Sequence, residues 1–230
     1  KVFLIGAGPG DPKLLTIAAR SLLESAKVVI ADRLIPEPIL NLVKGKLKIA
    51  NKFQGNAHFA QEEIYEWCLQ ALDDGHDVVR LKGGDPFIFG RGGEEVLRFR
   101  KHGYQSTVIP GISSSFSGPL LSNIPLTHRG TANQILITTG RNSDGSLPSI
   151  PSYDKNRTLV MLMSVHRLAS ICQHLSDAGY PNTSPLAIIE KASMPDQKTT
   201  SLILQSAKQF DTSQIQQPAL IVVGNVINAL

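Results

Sequence analysis

The sequence predicts an α/β protein of two lobes, and three observations predict it. Short β-branched runs alternate with longer stretches of helical periodicity. Hydrophobic residues make up 42% of the 230 and charged residues 18%, enough apolar surface for a packed core. A small-residue, turn-rich segment from Pro110 to Gly130 interrupts the pattern near the middle, with the composition of a hinge. The expected lobes are residues 1–112 and 113–230, joined near 111–117.

In chain order, VFLIG (Val2–Gly6) reads as a strand. A helix follows from Asp11 to Ala26, with Leu15, Ala18, Ala19, Leu22, Leu23 and Ala26 on one stripe. Asp11-Pro12 suits its start, because aspartate accepts from free amides and proline is tolerated at the first helical position. KVVIAD (Lys27–Asp32) and DVVRLKGGD (Asp77–Asp85) read as strands on either side of the amphipathic helix Gln61–Gly75, which ends at glycine. STVIPG (Ser106–Gly111) closes the half. In the second half, NQILITTG (Asn133–Gly140), RTLVMLMS (Arg157–Ser164), SPLAIIEK (Ser184–Lys191) and PALIVVGN (Pro218–Asn225) are strands, with a helix over Arg167–Ala178 and a polar loop over 141–156.

Composition removes several classes of function. The net charge of +4 favours an anionic partner, but the basic residues are spread out and aromatics are 6%, which argues against nucleic acid. No run approaches the length that spans a bilayer, so no membrane is expected. Cys68 and Cys172 lie far apart and form no CxxC pair, which points to a reducing, cytoplasmic compartment and away from a disulfide framework. The six histidines show neither HExxH nor HxH, so no metal site is expected, and GxSxG is absent. The chain opens inside its first strand, as a domain cut from a longer polypeptide with a further domain upstream would.

Two glycine-rich loops carry the chemistry. GAGPGD (Gly6–Asp11) joins a strand to a helix, and Asp32 ends the next strand, where a dinucleotide fold would place its ribose-binding acid. Asp11 stands where that fingerprint needs glycine, and an acid there would repel a pyrophosphate on the helix amides. A tight turn needs fewer glycines than GAGPG holds, so close approach of a ligand to the backbone is the better account. LKGGDPFIFGRGGEE (Leu81–Glu95) sets two glycine pairs around Phe87, Ile88 and Phe89, which either wall an apolar cavity or fill the core.

GAGPGDPKLLT, ADRL, KGGDPFIFGRGGEE, PGISS, IPLTHRG and PALIVVG occur in one order across nearly the whole chain. Together they resemble the uroporphyrinogen-III C-methyltransferase branch of the tetrapyrrole methylases, enzymes that use S-adenosylmethionine on the route to sirohaem and cobalamin. The resemblance implies a homodimer whose α/β lobes hold S-adenosylmethionine in the cleft between them. By motif it assigns donor binding to Pro9, Gly83, Gly84, Asp85, Ile88, Ser113, Ser114, Met163 and Ala192. It also assigns proton acceptance to Asp32 and proton donation to Lys52. The early glycine loop would line the tetrapyrrole side. The chain departs from the family where Ser113-Ser114 replaces threonine followed by serine or alanine, and where Ser164 and Ala192 replace glycines.

The implied reaction is transfer of two methyl groups to uroporphyrinogen III, at C-2 and C-7, giving precorrin-2. Such an in-line displacement needs alignment and exclusion of water, and no metal. Arg33, Lys52, Arg91, His128 and Arg129 are candidates for the substrate carboxylates, because a guanidinium pairs with carboxylate bidentately. A carboxylate at Asp32 could accept the proton released, or could form a structural ion pair with Arg33. Another methylase of the same fold, or a binding module whose activity has lapsed through Ser164 and Ala192, are the alternative readings.

Overall fold

The computed structural model describes residues 1–50 and 57–230, and side chains from Gln61 onward in the second segment. The chain divides into two units, Lys1–Ser113 and Ser114–Leu230.

The first unit is a five-stranded sheet of β1 (Val2–Gly6), β2 (Val28–Ala31), β3 (Lys46–Ile49), β4 (Val78–Lys82) and β5 (Ser106–Ile109). Every pairing is parallel, in the order β3-β2-β4-β1-β5. Its helices are α1 (Ile17–Ser25), α2 (Glu37–Leu40), α3 (Ala57–Asp73) and α4 (Gly92–Lys101). Strand residues alternate between two cores. Ile5, Val29, Val79 and Leu81 pack with Ala19, Leu23 and Ile39 of α1 and α2. Val2, Leu4, Ile30 and Val78 pack with Ile64, Cys68 and Phe99 of α3 and α4. Because β1 leads to one side of the sheet and β4 to the other, the loops after these adjacent strands sit at the topological switch point, where open α/β sheets bind ligands.

The first helix starts later than the sequence predicts. Asp11 caps only a 3-10 turn over Pro12–Leu14, accepting from the Lys13 amide at 2.8 Å. Thr16 caps α1 instead, accepting from the Ala19 amide at 3.2 Å.

The second unit has β6 (Gln134–Thr139), β7 (Arg157–Leu162), β8 (Pro185–Glu190), β9 (Lys198–Ile203) and β10 (Ala219–Val223), ordered β6-β7-β10-β8-β9. Only β6 and β7 pair in parallel. Leu168, Ile171, Cys172 and Leu175 of α6 (Leu168–Asp177) cover one face, with Leu204 and Ala207 of the short α7 (Leu204–Ala207). The hinge reading of Pro110–Gly130 needs correction, because Ser114–Leu121 forms a helix, α5. Its small residues serve packing: a Cβ on Gly118 would lie 2.8 Å from a Leu220 methyl carbon. Ser115, Ser117, Gly118 and Pro119 are buried for the same reason. Among the described residues no helix is long and apolar enough to cross a membrane.

Candidate active site

At the C-terminal edge of the parallel sheet, the two glycine loops are bound to each other. The Gly8 amide donates to the Gly84 carbonyl at 3.2 Å, and the Gly84 amide returns a bond to Gly8 at 2.9 Å. Both glycines have positive φ, which a side chain would strain. A Cβ on Gly6 would lie 2.5 Å from the Gly84 carbonyl oxygen and 2.6 Å from Gly111 Cα. The chain's own backbone therefore fills the space at Gly6, so ligand approach is not what that glycine is for. Gly83 differs: among the described residues a Cβ there would meet only an Ile35 methyl, at 4.0 Å.

Asp85 ties this edge together. Its carboxylate accepts from the Phe87 amide at 2.8 Å and from the Gly111 amide at 3.2 Å. Beyond it the chain turns outward, and Phe87 is 57% exposed, with Ile88 and Phe89 also largely uncovered. The core reading for the two phenylalanines is thus overturned. Phe89 and Arg91 both take positive φ, so the loop holds its shape against local preference. Arg91 is exposed and lies 3.7 Å from Glu94 at the start of α4.

Asp32 follows β2 and is fixed from below. Its amide donates to the Leu81 carbonyl, and its Oδ1 accepts from Arg80 Nη2 at 2.5 Å. Lys82 Nζ is 3.9 Å from Oδ2. Arg80, 48 residues away, is a partner of Asp32 that the sequence reading did not include. Arg33 itself is exposed.

Sequence reasoning also missed the cluster beneath Asp32. Arg80, Lys82 and Glu95 are almost wholly buried, although each carries a charge. Glu95 accepts from Lys82 Nζ at 2.6 Å, Arg80 Nε at 3.0 Å and Gln61 Nε2 at 3.2 Å. Burial opposes the charge on Arg80, but Asp32 and Glu95 outweigh it and hold the guanidinium above its usual pKa. Burial and then the Arg80 charge push Lys82 below the usual ammonium value, against the pull of Asp32 and Glu95. The signal was present: two basic residues at i and i+2 of a central buried strand share one face and require buried acids.

In the second unit the family-implied residues lie at strand ends. Met163 follows β7, has positive φ and is 57% exposed. Ala192 follows β8 between Lys191 and Ser193, both also at positive φ. It is buried near Gly118 of α5, the helix that Ser114 begins. Ser113 is buried at the end of the first unit. The Ser164 hydroxyl is buried too and donates to the Met161 carbonyl at 2.8 Å. Both departures from glycine therefore turn their side chains into this unit's interior. His128 and Arg129 are exposed in the loop before β6, and a 3.3 Å contact joins the Thr131 hydroxyl to His128 Nδ1. The structure thus brings Pro9, Asp32, Gly83, Gly84, Asp85 and Ile88 to one sheet edge, while Met163 and Ala192 mark strand ends of the other unit. Lys52 lies outside the described residues. Among those described, no three His, Cys, Asp or Glu cluster as a metal would require.

Known proteins are similar to this chain. The chain is 44% identical over 233 residues to the uroporphyrinogen-III C-methyltransferase of Saccharomyces cerevisiae, matching all of this chain and 39% of that protein. It is 37% identical to the enzyme of that name from Synechocystis, covering 99% of this chain and 89% of the relative. The chain thus spans less than half the length of the yeast relative. The structure of the Thermus thermophilus uroporphyrin-III C-methyl transferase complexed with S-adenyl homocysteine superposes with a TM-score of 0.87 at 36% identity, covering 100% of this chain and 94% of that one. The family model of the tetrapyrrole (corrin/porphyrin) methylases matches residues 1–207, and the chain belongs to that family.

Proposed function

We propose that this chain transfers methyl groups from S-adenosylmethionine to C-2 and C-7 of uroporphyrinogen III, giving precorrin-2 for sirohaem or cobalamin. The observation that carries the reading is Asp32, a carboxylate presented at the switch-point edge and clamped by a buried arginine at 2.5 Å.

When bound, S-adenosylmethionine supplies a methyl group on a sulfonium, open to in-line displacement by an electron-rich pyrrole carbon. For its recognition we assign Pro9, the backbone of Gly83 and Gly84, Asp85, Ile88, Ser113, Ser114, Met163 and Ala192. Gly83 supports the fit, since among the described residues only an Ile35 methyl, at 4.0 Å, comes near where its side chain would be. Exposed Phe87, Ile88 and Phe89 offer apolar surface that excludes water from the displacement.

Attack by the pyrrole carbon leaves positive charge on the macrocycle, which returns to neutrality by losing a proton. Asp32 stabilises that charge and accepts the proton. Lys52 is assigned as proton donor on the family motif alone. Arg33, Arg91, His128 and Arg129 are assigned to the substrate carboxylates, and the exposure of all four supports this. A homodimer is part of the proposal, supported by exposed Phe116, Leu120 and Leu121 on α5. So is a cytoplasmic setting, supported by two free, buried thiols in separate units.

The test is anaerobic incubation with S-adenosylmethionine and uroporphyrinogen III, followed by mass spectrometry of the tetrapyrrole. Two added methyl groups are expected. Donor bound without methyl addition would reject the substrate assignment. Asp32→Asn is expected to fold and bind donor but lose most turnover, and wild-type turnover in it would remove Asp32 from the mechanism.

A further inference from the structure

Arg80 leaves none of its N–H groups idle. Nη1 donates to the Ile30 and Leu81 carbonyls at 3.3 and 2.9 Å. Nη2 is shared between Asp32 Oδ1 at 2.5 Å and Glu95 Oε1 at 3.2 Å, and Nε reaches Glu95 Oε2 at 3.0 Å. The guanidinium plane is therefore set by two carboxylates that meet at Nη2, each a flank of its own, and by two strand carbonyls. One flank, Asp32, is 22% exposed and faces the site. The other, Glu95, has no exposed surface and also anchors Lys82, the second cation near Asp32.

Stability alone gives little reason to keep such a cluster. Buried ion pairs recover their desolvation cost poorly, and apolar residues of similar volume often replace them without loss. Among the described residues the charges are balanced, Arg80 and Lys82 against Asp32 and Glu95, so removing Arg80, Lys82 or Glu95 leaves an unmatched charge in the core. Four chain segments supply it: the end of β2, β4, α3 through Gln61, and the first turn of α4.

We propose that Glu95 is a positioning residue for the methyl-transfer reaction, holding the Asp32 carboxylate in its working orientation through Arg80 and Lys82. Glu95 touches neither substrate nor donor and acts only through the two cations. The inference rests on the reading of Asp32 as the reacting carboxylate. Without Glu95, Arg80 loses one flank and is free to tilt about its strand carbonyls. Lys82 loses its nearest anion and yields its proton at lower pH. The titratable groups facing this cluster, among the described residues, are Asp32, Tyr65 and Cys68.

The test compares wild type, Glu95→Gln, Glu95→Gln/Lys82→Met and Asp32→Asn in steady-state kinetics. Calorimetric binding of S-adenosylmethionine and thermal melting accompany the kinetics. For Glu95→Gln we expect kcat to fall at least tenfold, with donor Kd and substrate KM within about twofold. The basic limb of its kcat profile should move to lower pH, since Lys82 then lacks the anion that retains its proton. Removing both charges restores balance, so the double variant should recover part of kcat and lose the displaced limb.

Wild-type kcat and an unmoved profile in Glu95→Gln would overturn the proposal. Equal losses in kcat and donor binding would assign Glu95 to architecture alone and overturn it too. If Glu95→Gln does not fold, the charge-balanced double variant decides, because wild-type kcat in it has the same meaning. Full turnover in Asp32→Asn removes the Asp32 reading and this inference together. Loss of turnover there beside an unaffected Glu95→Gln removes the inference alone.

Discussion

The central strands of the two units solve burial in opposite ways. β4, in the middle of the parallel sheet, is buried along its whole length yet carries Arg80 and Lys82 on one face. Its counterpart β10 carries only Ala219, Leu220, Ile221, Val222 and Val223. Backbone strain occurs in both units, at Phe89 and Arg91 after β4 and at Met163, Lys191 and Ser193 beyond β7 and β8. The first unit therefore combines a buried charge network with a strained loop at its candidate edge, whereas the strand ends of the second rely on strain at Met163, Lys191 and Ser193. A buried charge network aims a carboxylate, whereas a strained turn presents backbone and a chosen side chain. The two devices predict different failures.

The largest expected effect comes from Arg80→Leu. It leaves Glu95 and Asp32 with one fewer cation, and breaking a buried pair typically costs about 3–5 kcal/mol. We expect a denaturant midpoint lowered accordingly, with turnover lost in whatever remains folded. Ile188→Ala in the second unit removes only apolar packing and should cost about 2–5 kcal/mol. It should leave the pH dependence of stability unchanged. If Arg80→Leu melts like wild type, the contrast between the units fails.

A smaller effect sharpens the comparison through the thiols, one in each unit. Burial pushes Cys68 up to about 12 and Cys172 up to about 11, from a usual value of 9.0. A raised folded-state value keeps the thiol protonated after the unfolded chain has lost its proton. Its contribution is therefore complete below pH 9 and shrinks as pH rises through the window up to 11–12. At pH 10 the loss should be about 1 kcal/mol per thiol. Cys68→Ala and Cys172→Ala should each flatten the fall in stability measured between pH 8 and pH 10 on the order of that amount. Lys82 works in the opposite direction: its lowered value adds stability as pH climbs toward 10.5. Cys68→Ala should therefore expose this rise in the first unit, with no equivalent after Cys172→Ala. The smallest effect belongs to the exposed Arg20–Glu24 pair on α1, 2.8 Å apart. Arg20→Ala should shift stability by under about 0.5 kcal/mol.

Much of the fold was legible because the inner strands are rich in apolar residues, as buried strands generally are, with β4 departing from this on the face of Arg80 and Lys82. β1, β2, β4, β7, β8 and β10 all read as hydrophobic runs. β3 and β9 did not, because KLKI and KTTSLI are edge strands whose outward positions are polar and whose lysines guard an open ladder. α5 read as a hinge because small residues serve both tight packing and turns, and composition cannot separate the two. The candidate site was partly legible. Glycine loops and Asp32 stood out at strand ends, since position along the chain is enough to place a loop after a strand.

By itself the sequence determined the two-unit α/β plan, the inner strands, the glycine loops and the family, since these rest on local periodicity and contiguous motifs. Only the tertiary structure decided which charges meet. Arg80, Glu95 and Asp32 come from separate elements, and a charge at one position gives no sign of its partner until strand order and pleat put both on one face. It likewise decided that Gly6 makes room for the chain's own backbone while Gly83, among the described residues, has only an Ile35 methyl nearby, because free space beside a glycine belongs to its neighbours in three dimensions.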